Sequence, residues 1–161
     1  MDKICSFFGH RNVEESQELT ALARAEIVKA INFGCRTFYF GGFGDWDSLC
    51  HKIVTEMKEE YPRLNIKRLF CVTQERYIRK RARYYNLDDY EDFIYLAPSF
   101  EGWYKSIYFR NCAMIDQSDY VIFYAEERAD SGAYKAFKHA KKQKDKIIKN
   151  LYNQFKPTQA P

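Results

Sequence analysis

Short apolar runs alternate with longer segments of helical periodicity along most of this chain. The runs have the length of strands and no regular polar face, which is typical of strands that are buried on both sides. They cover residues 4–8, 37–40, 66–72, 94–97, 120–124 and 147–148. The segments between them have apolar residues at helical spacing and cover residues 13–33, 46–61, 103–117 and 132–142. A parallel sheet with helices on both faces buries such a pattern.

This order of elements predicts the fold class. We expect an α/β protein with a single Rossmann-like, three-layer domain and a mostly parallel sheet of five to six strands. The chain has 161 residues, which is enough for one domain with a substantial core. We expect the domain to cover residues 1–155, followed by a flexible tail at residues 156–161. The basic, aromatic segment 74–90 has no clear periodicity and is left unassigned.

Composition and missing motifs exclude several other classes of protein. Hydrophobic residues make up 46% of the chain and aromatic residues 17%, which is too much for a disordered protein. Five cysteines without a CxxC pair argue against a disulfide framework, and the lack of HExxH and EF-hand patterns argues against a metal. No apolar stretch reaches the ~18 residues of a membrane helix. We therefore expect a cytoplasmic protein that needs no metal or cofactor and does not bind a membrane.

The charge distribution leaves a nucleic-acid partner open. The net charge is +4, and the excess of basic residues falls in segments 76–83 and 135–149. Two basic stretches suit nucleic acid, but solvated helix faces have the same composition. Binding to nucleic acid is therefore an alternative and not the favoured interpretation.

Polar and glycine-rich segments follow the predicted strands, and the first of them is Gly9-His10-Arg11. Because the carboxyl ends of parallel strands meet at one edge of the sheet, these segments are expected to form one pocket. Arg11 and His10 can reach a phosphate there, while Gly9 keeps the loop free of side-chain bulk. A turn glycine followed by exposed polar residues is the simpler explanation, but the position favours binding.

The second segment, residues 41–45, has three glycines, Gly41, Gly42 and Gly44, in four positions. Bare N–H groups of glycines can form a nest that binds an anion. Asp45 or Asp47 can accept a hydrogen bond from a ribose hydroxyl, or cap the helix that follows. The spacing matches neither a Walker loop nor GxGxxG, which argues against an ordinary ATPase or dehydrogenase.

The third segment lies in the helix before the fifth predicted strand. Arg110 and Asn111 occupy one turn of this helix near the sheet edge, and the planar guanidinium of arginine suits a phosphate. The alternative is a structural ion pair of Arg110 with Asp116 or Asp119.

The fourth segment, Ser131-Gly132-Ala133, precedes the last predicted helix. Ser131 is a good N-cap, and Gly132 and Ala133 would present bare N–H groups to an anion. Ordinary capping explains Ser131 by itself, but small residues at both following positions favour a phosphate.

Together these segments resemble the SLOG superfamily, a Rossmann-like group that includes lonely-guy phosphoribohydrolases and DNA-processing proteins. The resemblance spans about residues 3–150 and is strongest to small bacterial proteins of the DUF1273 or YpsA-like kind. It rests on Phe7-Phe8-Gly9-His10-Arg11, Gly41-Gly42-x-Gly44-x-x-Asp47, Arg110-Asn111-x-x-Met114-Ile115-x-x-Ser118-Asp119-x-Val121-Ile122 and Ser131-Gly132-Ala133-Tyr134-Lys135-Ala136.

The resemblance implies a site for a nucleotide or nucleotide-derived ligand, in a sensor or regulatory protein that forms a homodimer or larger assembly. The expected binding residues are Gly9, His10, Arg11, Gly41, Gly42, Gly44, Asp45, Asp47, Arg110, Asn111, Ser131, Gly132 and Ala133.

An enzyme that cleaves the N-glycosidic bond of nucleoside monophosphates is the alternative function. Lonely-guy enzymes use the glutamate of a PGGxGTxxE motif, and Ala136 stands at that position here. Catalysis would then need another carboxylate, and Asp47 and Asp119 are the candidates.

Overall fold

Strands and helices alternate throughout the part of the chain that the computed structural model describes, which is residues 2–42, 44–96, 103–128 and 130–154. The elements are β1 (Lys3–Gly9), α1 (Gln17–Phe33), β2 (Cys35–Phe40), α2 (Asp45–Glu60), β3 (Lys67–Val72), α3 (Arg76–Arg79), α4 (Arg81–Tyr84), β4 (Asp92–Tyr95), α5 (Trp103–Gln117), β5 (Tyr120–Tyr124), α6 (Gly132–Lys141) and β6 (Ile147–Asn150). None of the helices in these ranges is long and apolar enough to cross a membrane.

The strands form one sheet in the order β4-β3-β2-β1-β5-β6, and every neighbouring pair is parallel. The predicted α/β fold is therefore confirmed, with six strands and no antiparallel pair in the described residues. The chain runs outward from β1 to β4 and then crosses to β5 on the other side of β1. Such a reversal leaves a crevice at the carboxyl ends of the strands, here between β1 and β5.

Helices cover both faces of the sheet, as the apolar pattern predicts. Side chains of β1 alternate between the faces, so that Cys5 and Phe7 join one buried cluster and Phe8 joins the other. The first cluster contains the buried faces of α1 and α2, whereas the second contains Met114 of α5 and Ala136 of α6. The sheet is therefore the middle of three layers, and its central strands β1, β2 and β5 are covered on both faces.

One helix and one strand begin at residues other than those predicted, because side-chain hydrogen bonds determine where they start. The first helix begins at Gln17 and not at residue 13, because Ser16 caps it by accepting a hydrogen bond from the Leu19 N–H at 3.1 Å. The fourth strand covers Asp92–Tyr95 and not residues 94–97. It starts earlier because Glu91 holds Arg68 of β3, through its own N–H to the Arg68 carbonyl oxygen and through its carboxylate to the guanidinium. Residue 97 and the expected tail at residues 156–161 lie outside the described residues.

The unassigned segment 74–90 forms two short helices, α3 and α4, and a single turn at Leu87–Asp89. Its aromatic residues pack on the end of β3. The ring of Tyr85 lies 4.2 Å from that of Phe70 and the ring of Tyr90 lies 5.1 Å from it, measured between centroids. Local sequence pattern could not reveal this arrangement because its stability comes from contact with the sheet.

Gly9 at the end of β1 is required by packing. A Cβ atom at this position would overlap the indole of Trp46, which is fully buried and stacks on Tyr124. The glycine that the sequence assigns to ligand access therefore also lets α2 approach β1.

We expect Gly9→Ala to lower the free energy of unfolding by about 1–3 kcal/mol, because the added methyl group must displace a buried indole. Gly132→Ala is the matched control, since a Cβ atom there meets nothing within 4 Å. The control should change stability by less than about 0.5 kcal/mol. Urea unfolding followed by circular dichroism measures both, and equal stability of the two variants would contradict the packing role of Gly9.

Candidate functional site

A cavity of about 310 Å³ opens at the carboxyl ends of β1, β2 and β5, at the point where the strand order reverses. Ten of the thirteen predicted site residues line it: Gly9, His10, Arg11, Gly41, Asp47, Arg110, Asn111, Ser131, Gly132 and Ala133. The other lining residues are Phe7, Phe8, Ile107, Arg128 and Asp130. The remaining three predicted residues, Gly42, Gly44 and Asp45, lie outside the lining.

The glycine turn after β2 holds a carboxylate of the protein itself. The N–H groups of Gly41 and Gly42 donate to the two carboxylate oxygens of Asp47, at 3.2 and 3.1 Å. Asp47 is the third residue of α2, so its side chain reaches back over the start of its own helix. The turn forms the expected anion nest, but Asp47 occupies it.

Asp47 is buried, and burial raises the pKa of its carboxyl group to about 6. The N–H groups of Gly41 and Gly42 and the nearby charge of Arg110 act in the opposite direction and favour the ionised form. The cavity therefore contains an acid that titrates near neutral pH.

Arg110 connects α5 to the ends of two strands. Its side chain is buried, and Nη1 donates to the carbonyl oxygens of Gly41 at 3.0 Å and Cys71 at 3.3 Å. The Nη2 atom donates to Oδ1 of Asn111 at 3.0 Å. Gly41 must be small here, because a Cβ atom on it would lie 2.6 Å from Nη2 of Arg110. Arg110 thus stabilises the edge of the cavity and brings a buried positive charge to it.

The carboxylates that the sequence offered as partners for Arg110 have other roles. Asp116 faces His139 of α6, with 2.8 Å between its Oδ1 atom and the imidazole Nε2 atom. Asp119 accepts a hydrogen bond from the Ile4 N–H at 2.9 Å. It precedes β5 and contacts the start of β1, so it lies at the edge of the sheet opposite the cavity.

The start of α6 forms another wall of the cavity. The Oγ atom of Ser131 accepts a hydrogen bond from the Tyr134 N–H at 3.3 Å, as expected of an N-cap. Gly132 and Ala133 are the first two residues of the helix, so their N–H groups precede the first intrahelical hydrogen bond. Ala136, which the sequence resemblance aligns with the glutamate of lonely-guy enzymes, is fully buried against the sheet.

Asp45 forms hydrogen bonds with the loop that follows β1. Its carboxylate accepts a hydrogen bond from the Val13 N–H at 3.0 Å, and its own N–H donates to the Arg11 carbonyl oxygen at 2.8 Å. These contacts position the loop that contributes His10 and Arg11 to the cavity. Arg11 is exposed, whereas His10 is buried.

Arg128 is the lining residue that the sequence motifs missed. It follows β5 in a run of charged residues that is typical of an exposed loop. Its carbonyl oxygen accepts a hydrogen bond from the Ser131 N–H at 3.0 Å, which places Arg128 in the turn that leads into α6. Its position three residues before Ser131, the predicted N-cap, was the sequence signal that could have identified Arg128 as a lining residue.

Comparisons with known proteins support the fold. No family model matches the chain, and no curated protein matches it. The X-ray structure of DNA processing protein A (DprA) from Streptococcus pneumoniae is similar, with a TM-score of 0.58 and 12% sequence identity. The match covers 91% of this chain but 49% of that protein, so the chain spans about half its length. At this identity the similarity shows the Rossmann-like fold alone. This fold agrees with the one that the SLOG resemblance implies.

The raised pKa of Asp47 predicts a pH-dependent stability. The folded-state pKa of about 6 exceeds the ordinary value of 3.8, so the native state gains stability as the pH falls through 6 and the carboxyl group takes up a proton. Asp47→Asn cannot titrate. Between pH 7.5 and pH 5, we expect the free energy of unfolding of the wild type to rise by about 1 kcal/mol relative to this variant.

Urea unfolding of both proteins at the two pH values tests this expectation. A parallel pH dependence of the wild type and Asp47→Asn would contradict the shifted pKa of Asp47.

Proposed function

We propose that this protein binds a nucleotide or nucleotide-derived ligand in the cavity at the carboxyl edge of its sheet, and that it acts as a sensor or regulatory protein. The observation that supports this most is the position of the cavity, because ligands of open parallel sheets bind where the strand order reverses. Its volume of about 310 Å³ lies within the range of small-molecule sites.

Charge in the cavity favours an anionic ligand. The lining contains three arginines, Arg11, Arg110 and Arg128, against two aspartates, Asp47 and Asp130. The positive end of the α6 dipole adds to this excess, and helix N-termini commonly bind phosphate groups. We infer that a phosphate lies at the N–H groups that start α6, with Arg11 reaching it from the opposite wall.

The remaining lining suits the rest of a nucleotide. Ile107 is half-buried and contributes apolar surface for a base, whereas Phe7 and Phe8 lie beneath the cavity in the core. Asn111 and Asp47 contribute polar groups that can bind ribose hydroxyls. With Asp47 holding the glycine turn, a ribose would bind on its accessible edge.

The motifs further favour the small DUF1273 or YpsA-like branch of the SLOG superfamily and a homodimeric or larger assembly, which we include in the proposal. The order of the four segments along the chain supports this placement.

Phosphoribohydrolase-like activity is the second candidate, and the environment of Asp47 favours it. Of the two carboxylates that the sequence suggested for catalysis, Asp47 lines the cavity and Asp119 does not. A carboxyl group with a pKa near 6 can protonate the departing base of a nucleoside monophosphate near neutral pH.

This second candidate predicts that the wild type releases free base from nucleoside monophosphates, and that Asp47→Asn does so at least 100-fold more slowly. Equal release by both proteins would exclude Asp47 as the acid.

Nucleic-acid binding is the third candidate. Arg76 and Arg79 of α3, Arg83 of α4 and Lys80 between the two helices are exposed. This segment follows the carboxyl end of β3, the edge of the sheet at which the cavity lies. The similar fold of a DNA-processing protein is compatible with this function. Such binding would weaken strongly with salt.

A substitution at Gly132 separates ligand binding from stability. A side chain at this position enters open space, and glutamate is tolerated at the start of a helix, so Gly132→Glu should fold like the wild type. Its carboxylate would repel a phosphate at the start of α6. We expect nucleotides, NAD or ADP-ribose to raise the melting temperature of the wild type and of Gly132→Ala, but not that of Gly132→Glu.

Adenosine is the control ligand, because it lacks the phosphate and should raise the melting temperature less than AMP does. No shift of the wild type with any of these compounds would contradict the proposed nucleotide site. Salt-dependent binding of DNA or RNA that persists in Gly132→Glu would then favour the nucleic-acid alternative.

A further inference from the structure

The hydrogen bonds of His10 define which of its nitrogen atoms bears the proton. The imidazole is 8% exposed, and its Nε2 atom lies 2.6 Å from the backbone nitrogen of Glu126. A backbone N–H group can only donate, so Nε2 accepts this bond and has no hydrogen of its own. Burial, followed by the charge of Arg128, lowers the pKa of His10, so the ring is neutral and its proton is on Nδ1.

This assignment places two donors face to face. The Nδ1 atom of His10 lies 3.0 Å from Nη2 of Arg128, and a guanidinium group has no acceptor. The two groups therefore cannot bond to each other in this protonation state. Since both residues line the cavity, an oxygen acceptor placed there can receive both N–H groups.

In the part of the chain that the structure describes, the carboxylates near Arg128 leave room for a further acceptor. Glu126 pairs with Nε of Arg128 at 3.5 Å, and a guanidinium group has five N–H donors, so this ion pair does not saturate it. Asp130 is an exposed residue of the cavity lining. Within the described residues, the polar atom that lies within hydrogen-bonding distance of Nδ1 of His10 is Nη2 of Arg128, so this N–H group lacks an acceptor there.

We propose that His10 and Arg128 bind a second anionic group of the ligand, next to the phosphate position at the start of α6. This inference rests on the proposed function and specifies its ligand. The Ser131 N–H donates to the Arg128 carbonyl oxygen at 3.0 Å, so both anion positions are built on one tight turn. Two neighbouring anion positions fit a diphosphate. The preferred ligand is therefore a nucleoside diphosphate, or a compound with a diphosphate bridge, and a nucleoside monophosphate binds less tightly.

Isothermal titration with inorganic phosphate, inorganic pyrophosphate, AMP and ADP tests the second position without requiring the identity of the base. We expect the wild type to bind pyrophosphate at least 10-fold more tightly than phosphate, and ADP at least 10-fold more tightly than AMP. A charge-assisted hydrogen bond accounts for a ratio of this size. In Arg128→Ala both ratios should fall to within about twofold of one, because the affinities for pyrophosphate and ADP fall more than those for phosphate and AMP.

Arg63→Ala is the matched control, because it removes the same charge from an exposed position in the Pro62–Leu64 turn that precedes β3, away from the cavity. This variant should keep the preference of the wild type for the diphosphate compounds.

A second measurement reports on His10 itself. In ¹⁵N NMR spectra of the free protein, the imidazole should bear its proton on Nδ1. Pyrophosphate should shift the Nδ1 signal of the wild type and leave that of Arg128→Ala unchanged. A proton on Nε2 in the free protein would overturn the proposal, because Nδ1 could then accept a hydrogen bond from Arg128.

The binding results also separate this inference from the proposed function. Binding of AMP and ADP with equal affinity by the wild type would overturn the second position and leave the nucleotide site intact. An equal loss of affinity for phosphate and pyrophosphate in Arg128→Ala would assign Arg128 to the first position and overturn the proposal. No binding of any phosphate compound would remove the proposed function and this inference together.

Discussion

The edge of the sheet is organised around the carboxylate of Asp47. It accepts the N–H groups of Gly41 and Gly42, and the buried guanidinium of Arg110 lies close enough to influence its pKa. Arg110 in turn binds the carbonyl oxygens of Gly41 and Cys71. These contacts join the ends of β2 and β3 to α2 and α5, and the rest of the cavity is built against them. A buried charge that lost its partners would be costly, so these contacts depend on one another.

This internal pairing also shapes what the cavity can bind. The glycine turn already holds an anion of the protein, so the proposed external anion would bind to the start of α6 and to Arg11 and Arg128. Ala136, which the motif resemblance aligns with the glutamate of lonely-guy enzymes, is buried in the core. What remains is a positively charged cavity with one acid of raised pKa, which suits recognition of a phosphorylated ligand and leaves Asp47 as the candidate for acid chemistry.

The sequence predicted most of the fold, because buried parallel strands and amphipathic helices have periodicities that are visible in the residues themselves. It was less accurate at boundaries that depend on distant partners. The early start of β4 depends on Glu91 binding Arg68, and the conformation of segment 74–90 depends on Phe70. In both cases the stabilising contact comes from a residue on another strand, which no local pattern encodes.

The sequence alone determined which residue types the candidate site contains and in which order they occur. It also determined that they lie at the ends of strands, because the carboxyl ends of parallel strands meet at one edge of the sheet. The tertiary structure decided which of these groups meet. It placed Asp47 in the nest of Gly41 and Gly42, and it brought Arg128 against His10 at 3.0 Å. Such pairings depend on helix position and side-chain direction in three dimensions, so they arise only once the layers have packed.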